Sequence, residues 1–171
     1  MEETPQQYSA RITSYVQGQN HLKVLESTPK TIARLIKGKP PSALSKVEDS
    51  GKWSIVQILA HLAEGEIVMA YRLRLVVGAN GTPIQAYDQN IWQQNAGYLR
   101  KNAKLALDLF TTLRENNVAF LKSLTKEQWE CFGMHVERGK ETVTRMTELY
   151  AGHDVNHLKQ IESILKSAKK R

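Results

Sequence analysis

The sequence predicts an all-α protein, a four-helix bundle with short extra helices. Four long segments repeat apolar residues at intervals of three and four, and none shows the sustained alternation of a strand. Helix-capping residues stand at the start of several segments. The length of 171 residues suits one domain, which typically has ~150 residues. We therefore expect 1–171 to form a single domain with its core at about 8–165, in which amphipathic helices bury their apolar faces together.

Two helical segments come first. A short amphipathic piece at 6–16 ends near Gly18. The first long segment, 20–37, keeps one helical phase through Pro29. Proline disrupts the interior of a helix but suits its first turn. Two interpretations therefore stay open, one kinked helix or a short helix followed by a new one capped at Thr28.

The second long helix has the clearest start. Ser54 and Gln57 fit a capping box, in which each side chain bonds the backbone N–H of the other residue. The apolar stripe that follows ends at Gly78, a residue type common at helix C-termini. The connection to the third long helix is about twenty residues long, so a simple up-down-up-down topology with tight loops is not assured.

The third long helix is predicted at 102–124, and the segment 88–92 before it can hold a helical turn or two. Thr125 and Gln128 fit a second capping box, which predicts a short helix there. The fourth long helix is predicted at 141–166, where an apolar face lies opposite a charged one.

Charge and composition exclude several classes of function. The net charge is +7, but four positive charges lie in a tail at 166–171, which is typical of a solvated terminus. No nucleic-acid-binding motif is present, so we expect no nucleic-acid partner, and binding through the tail is the weakest alternative. No apolar run reaches the ~18 residues of a membrane span, and the polar start is not a signal peptide, so we expect a cytoplasmic protein without membrane contact. Because Cys131 is the single cysteine, the chain cannot form an internal disulfide or a cysteine-rich zinc site.

Three histidines are the main candidates for functional residues. His153 and His157 are four residues apart on the apolar face of the fourth helix, so both imidazoles point the same way, one turn apart. His61 lies at the edge of the apolar stripe of the second helix. Bundles build metal sites from side chains on facing helices in this way. From the pattern alone, a metal site and ordinary core histidines bonded to other groups are equally good interpretations.

Three stretches, 51–64, 88–92 and 151–161, carry a family resemblance. The first contains Trp-Ser at the helix start with a histidine seven residues after the serine, and the last contains His-x-x-x-His. The chain thereby resembles the DinB-like superfamily, the DinB/YfiT-like metalloenzymes, over nearly its whole length. The resemblance implies a four-helix bundle, often homodimeric, and a divalent metal ion held by His61, His153 and His157.

Three neutral ligands leave a coordination position open, which is typical of catalytic sites. The resemblance implies either transfer reactions that use a low-molecular-weight thiol or hydrolysis, in both cases of a small-molecule substrate. Imidazole suits several divalent ions, so Zn, Ni and Mn or Fe stay open. The alternative from another class is a non-catalytic, dimeric metal-binding module of a stress response.

Further residues are candidates for the same site. Glu64 can orient an imidazole or act as a base, although a solvated glutamate is the simpler interpretation. Tyr150 can donate a hydrogen bond into the site or be an ordinary core tyrosine. His135, in the loop predicted before the fourth helix, can be a fourth ligand or a proton shuttle, against the simpler interpretation of a surface histidine. Gly65 can leave space beside the ion, although simple helix packing explains it equally well. Asp154 is too short for the general base of a His-Glu-x-x-His protease, and we expect it at the surface or behind the ligands.

Overall fold

The computed structural model describes residues 3–47, 52–98 and 102–168. The described chain is mostly helical, and its elements are α1 (Pro5–Ser14), α2 (His21–Ile36), α3 (Pro41–Ser45), α4 (Ile55–Gly78), β1 (Pro83–Ile84), α5 (Gln89–Asn95), α6 (Ala103–Ser123), α7 (Lys126–Trp129), β2 (Phe132–His135), β3 (Gly139–Thr142) and α8 (Val143–Ser167). The four long helices, α2, α4, α6 and α8, form the bundle. Helix α4 packs on α6 and α8, and α2 packs on the same two helices from the other side. The predicted four-helix bundle with short extra helices is confirmed.

Both predicted capping boxes and the predicted end of the second long helix are present in the structure. The backbone N–H of Ser54 donates to Oε1 of Gln57 at 2.8 Å, and the N–H of Gln57 donates to Oγ of Ser54 at 3.3 Å. The capping box of Thr125 and Gln128 is also formed. Helix α4 ends at Gly78, as predicted.

Pro29 lies inside one continuous helix, α2, so the interpretation of a second helix capped at Thr28 is wrong. Proline has no N–H, which leaves the carbonyl of the residue four positions earlier without its helical donor. That residue is Leu25, and its oxygen accepts a hydrogen bond from Nη1 of Arg114 at 2.9 Å. A side chain from α6 therefore replaces the missing bond and lets the helix continue.

A small three-stranded sheet, which the sequence pattern does not predict, lies beside the bundle in the order β1-β2-β3. Strand β1 is parallel to β2, where Ile84 pairs with His135, and β2 is antiparallel to β3. Because Glu141 belongs to β3, the last long helix starts two residues later than predicted, after the N-cap Thr142. The strands have two to four residues, too few for alternation to identify them.

The apolar core fills the space between the long helices. Buried polar side chains interrupt it near its middle, including Glu66, Arg114, Asn117 and Asp154. Among the described residues, no helix is both long and apolar enough to cross a membrane. Residues 169–171 of the predicted basic tail lie outside the described residues. Position 51, the first of the 51–64 stretch, lies outside them too.

Candidate metal centre

The structure brings together the three histidines that the sequence singles out. His61 extends from α4, while His153 and His157 extend from successive turns of α8. The Nε2 atom of His153 lies 2.9 Å from Nε2 of His61 and 3.0 Å from Nε2 of His157. His61 and His157 are buried, and His153 is partly exposed. One ring nitrogen from each of three side chains therefore points at a common position.

These nitrogens fit a cation. Around a tetrahedral zinc ion with bonds of ~2.0–2.1 Å, ligand nitrogens lie ~3.3 Å apart, close to the spacing seen here. The Nδ1 atom of His157 lies 2.7 Å from the amide oxygen Oε1 of Gln160. An amide oxygen can only accept, so Nδ1 carries the proton and Nε2 presents its lone pair to the cluster. The residues present thus fit a divalent metal ion.

Burial keeps the cluster in the neutral form that metal coordination requires. It lowers the pKa of His61 and His153 well below the ordinary range, with the neighbouring histidines as a further cause. Burial also lowers the pKa of His157 to about 4. The indole of Trp53, just before the α4 N-cap, packs edge-on against His61 and parallel to His157, with ring centres 4.9 and 6.4 Å apart. This apolar contact limits the access of water on that side.

A buried ionic cluster is centred on Asp154, the residue that follows His153 in the chain. Asp154 is fully buried and accepts hydrogen bonds from Nη1 and Nη2 of Arg114 at 2.5 and 3.0 Å. The same guanidinium donates to Glu66 at 2.7 Å, and Asn117 donates to the other Glu66 oxygen at 3.0 Å. Of the two expected places for Asp154, the surface and a position behind the ligands, the surface is wrong, because the side chain is fully buried. Its partners come from α4 and α6, so the cluster joins three helices behind the candidate metal centre.

A cavity of about 160 Å³ opens beside His153. Gly65, one turn after His61, lines it, and a Cβ atom built there meets nothing within 4 Å, in line with the expected space. Tyr150 also lines the cavity, and its ring centre lies 6.5 Å from that of His153. The remaining wall consists of Tyr8, Ser9, Ile12, Arg72, Tyr87, Gln89, Arg138, Glu141, Met146 and Leu149. Helix α1 thus contributes one wall, which the sequence pattern does not indicate.

Two other candidates lie outside the cavity wall. Glu64 is partly exposed and accepts a hydrogen bond from the hydroxyl of Tyr98. His135 is buried in β2, so the interpretation of a surface loop histidine is wrong. Its Nδ1 accepts from the N–H of Glu137 at 3.2 Å, and its Nε2 has no hydrogen-bond partner among the described residues. Catalytic roles for Glu64, Tyr150 and His135 stay predictions.

Known proteins resemble this chain over most of its length. It is 24% identical over 160 residues to the Oceanobacillus iheyensis protein "Putative metal-dependent hydrolase OB0782", covering 94% of this chain and 92% of the relative. It is also 24% identical over 145 residues to "Putative metal-dependent hydrolase YfiT" of Bacillus subtilis, covering 84% and 81%. The solved structure of the Bacillus subtilis protein, "a probable metal-dependent hydrolase with an unusual four-helix bundle topology", superposes with a TM-score of 0.81 at 20% identity, covering 98% of this chain and 91% of the other.

A family model also matches. The model described as the DinB superfamily covers residues 25–161, which include all of α4 and the histidines of α8. The match extends over well more than half of the 171 residues. The chain therefore belongs to the DinB superfamily.

Proposed function

We propose that this chain is a metal-dependent enzyme, a hydrolase or thiol transferase acting on a small molecule, with its cation held by His61, His153 and His157. The observation that carries the proposal is the convergence of three neutral imidazole nitrogens beside a cavity. The names of the relatives, metal-dependent hydrolases, support the same class of chemistry. The expected cation is divalent, and Zn, Ni, Mn and Fe all remain candidates.

When bound, a divalent cation supplies Lewis-acid activation of a water or a thiol near neutral pH. The protein residues prepare that chemistry. The three imidazoles bring no negative charge, so they leave the charge of the cation undiminished. Gln160 holds the His157 ring in the orientation and tautomer needed for binding. Tyr150 lines the cavity, and a tyrosine hydroxyl can donate a hydrogen bond to a substrate oxygen.

Water and a thiol are the two candidate nucleophiles, and the charged side chains that line the cavity favour including the thiol. Glu141 is the single carboxylate among the described lining residues, and Arg138 binds both of its oxygens, at 2.5 and 3.2 Å. A free general base for water is therefore missing from this part of the wall. A thiol, with an ordinary pKa of ~8.5, ionises far more easily than water and depends less on such a base. Thiol transfer is for this reason our second candidate function beside hydrolysis.

Metal analysis of protein purified without a polyhistidine tag tests the proposal. We expect close to one divalent ion per chain in the wild type and a large loss in the His61→Ala and His157→Ala variants. The matched control is His21→Ala, which removes a histidine at the start of α2, outside the cluster. A wild type without stoichiometric metal, or a His61→Ala variant that keeps it, would contradict the proposal.

Spectroscopy and turnover then separate the candidate functions. In a cobalt-substituted sample, a thiol nucleophile predicts a new sulfur-to-metal absorption band when a low-molecular-weight thiol is added. Hydrolysis predicts turnover of small esters or amides without added thiol. Bound metal with neither response would favour a non-catalytic metal-binding module.

A further inference from the structure

Arg72 is a buried cation without an acidic partner among the residues that the structure describes. It extends from α4 and is only 7% exposed, yet it lines the cavity beside the histidines. Its Nη2 donates to the backbone oxygen of Gln85 at 2.5 Å, and its guanidinium lies 5.7 Å from the ring centre of Tyr87. In the described part of the chain, no carboxylate lies within ion-pair distance of it. A guanidinium has five N–H donors, so most of its binding capacity is unused.

Two other arginines, the buried Arg114 and the partly exposed Arg138, differ from Arg72 in having acidic partners. Arg114 has two carboxylate partners, Glu66 and Asp154. Arg138, the second arginine of the cavity wall, is held by Glu141. A charge taken out of water is costly unless an opposite charge or a full set of hydrogen bonds compensates it. Among the described residues of the wall, Arg72 therefore carries the one positive charge that has no acidic partner.

The position of Arg72 suits a ligand that also reaches the histidines. His61, Gly65 and Arg72 lie on one face of α4, at spacings of four and seven residues. Arg72 lies 11 residues after His61 on that face, which is about three helical turns. Gly65, between them, adds no side chain to fill the space. The cavity thus runs along α4 with His153 and Arg72 both in its wall.

We propose that this cavity binds a small substrate that carries a carboxylate, and that Arg72 binds the carboxylate while another part of the molecule lies at the histidine cluster. The planar fork of a guanidinium matches the two oxygens of a carboxylate. A single positive charge without an acidic partner matches a monoanion better than it matches a phosphate dianion. The proposal extends the metal-dependent function proposed above by assigning its substrate class and a specificity residue.

Binding of matched probes, measured by saturation-transfer NMR, tests the proposal. Butyrate and butyramide have nearly the same shape and differ in charge. We expect the wild type to bind butyrate roughly tenfold more tightly, since a charge-assisted hydrogen bond is involved. In the Arg72→Gln variant, butyrate should fall to the affinity of butyramide, whereas the Arg72→Lys variant should keep a preference for butyrate. The matched control is Arg74→Gln, on the same helix but exposed and bonded to Asn116, which should keep the wild-type preference.

Equal binding of the two probes by the wild type, or binding of neither, overturns the proposal. A preference for butyrate that survives in a folded Arg72→Gln variant overturns it as well. If circular dichroism shows that Arg72→Gln is unfolded, a lost preference in folded Arg72→Lys overturns the proposal, and a retained one supports it. Inorganic phosphate is added as a competitor, and tighter binding of phosphate than of butyrate at Arg72 contradicts the assignment to a carboxylate.

The His61→Ala variant separates this proposal from that of the metal. It should keep its preference for butyrate if Arg72 binds the probe, and lose it if the probe's carboxylate binds a cation instead. A wild type that lacks metal but prefers butyrate through Arg72 would refute the metal-dependent function alone. Bound metal without a preference for butyrate would refute the carboxylate site alone.

Discussion

Replacing Arg114 by methionine should severely destabilise the protein. The side chain is buried and donates four hydrogen bonds, two to Asp154, one to Glu66 and one to the carbonyl of Leu25. Methionine fills much of the same volume but donates none of them. The change leaves two buried carboxylates without their cation, and it leaves the carbonyl opposite Pro29 without a donor.

The expected loss follows from these contacts. Breaking a buried ion pair by removing one partner costs ~3–5 kcal/mol, and an unpaired buried carbonyl adds about 1 kcal/mol or more. The free energy of unfolding of a typical domain is only ~5–15 kcal/mol. We therefore expect Arg114→Met to lower the melting temperature by roughly 10–20 °C, measured by circular dichroism together with the urea midpoint.

A surface ion pair on the same bundle provides the control. Arg145 and Glu148 pair on α8 with both side chains partly exposed, so Arg145→Met should cost less than about 1 kcal/mol. Asp154→Asn, which keeps the shape of the side chain, should lie between the two variants. If the free energy of unfolding of Arg114→Met lies within about 1 kcal/mol of the wild-type value, the assumption that this cluster holds three helices together is refuted.

Three further outcomes are expected. Gly152→Ala should destabilise by ~1–3 kcal/mol in urea unfolding, because the added Cβ would lie 2.3 Å from the backbone oxygen of Ile12 and push α1 from α8; an unchanged midpoint would refute that close contact. Gly65→Ala should leave the free energy of unfolding unchanged or raise it by up to ~1 kcal/mol. The added methyl group should weaken the binding of small ligands in the cavity. Unaltered probe binding would show that the cavity is not the binding site. Burial, followed by the charge of Arg138, lowers the pKa of His135, so its folded form is neutral and its contribution to stability is lost as the pH falls below about 6.5. The drop in urea midpoint between about pH 7.5 and about pH 5.5 should therefore be smaller in His135→Gln than in the wild type.

Local signals in the sequence predicted much of the fold. A capping box needs only two residues at a fixed spacing, so the start of α4 at Ser54 could be located before the structure was known. The two histidines of α8 share a face for the same reason, since four residues make about one turn. The approach of His61 to them depends on how α4 packs against α8. Spacing along the chain does not contain that information, and the family resemblance supplied it.

The missed features depend on contacts between distant segments. Arg114 and Asp154 are forty residues apart, and their pairing is invisible to a search for helical periodicity. One signal was present, because Arg114 and Asn117 occupy the same stripe of α6 as Phe110 and Leu121. A charged residue in an otherwise apolar stripe indicates a buried partner. The short strands gave no comparable signal, which is why His135 was expected in a loop.

Helix α1 and the long helices contribute different parts of the site, and this has a consequence for variants. His61, His153 and His157 extend from α4 and α8, whereas Tyr8, Ser9 and Ile12 of α1 border the adjoining cavity. We therefore expect substitutions on the cavity side of α1 to change which molecule fits there while the three histidines stay in place. Ligand selectivity and the histidine cluster can thus be altered separately in one small bundle.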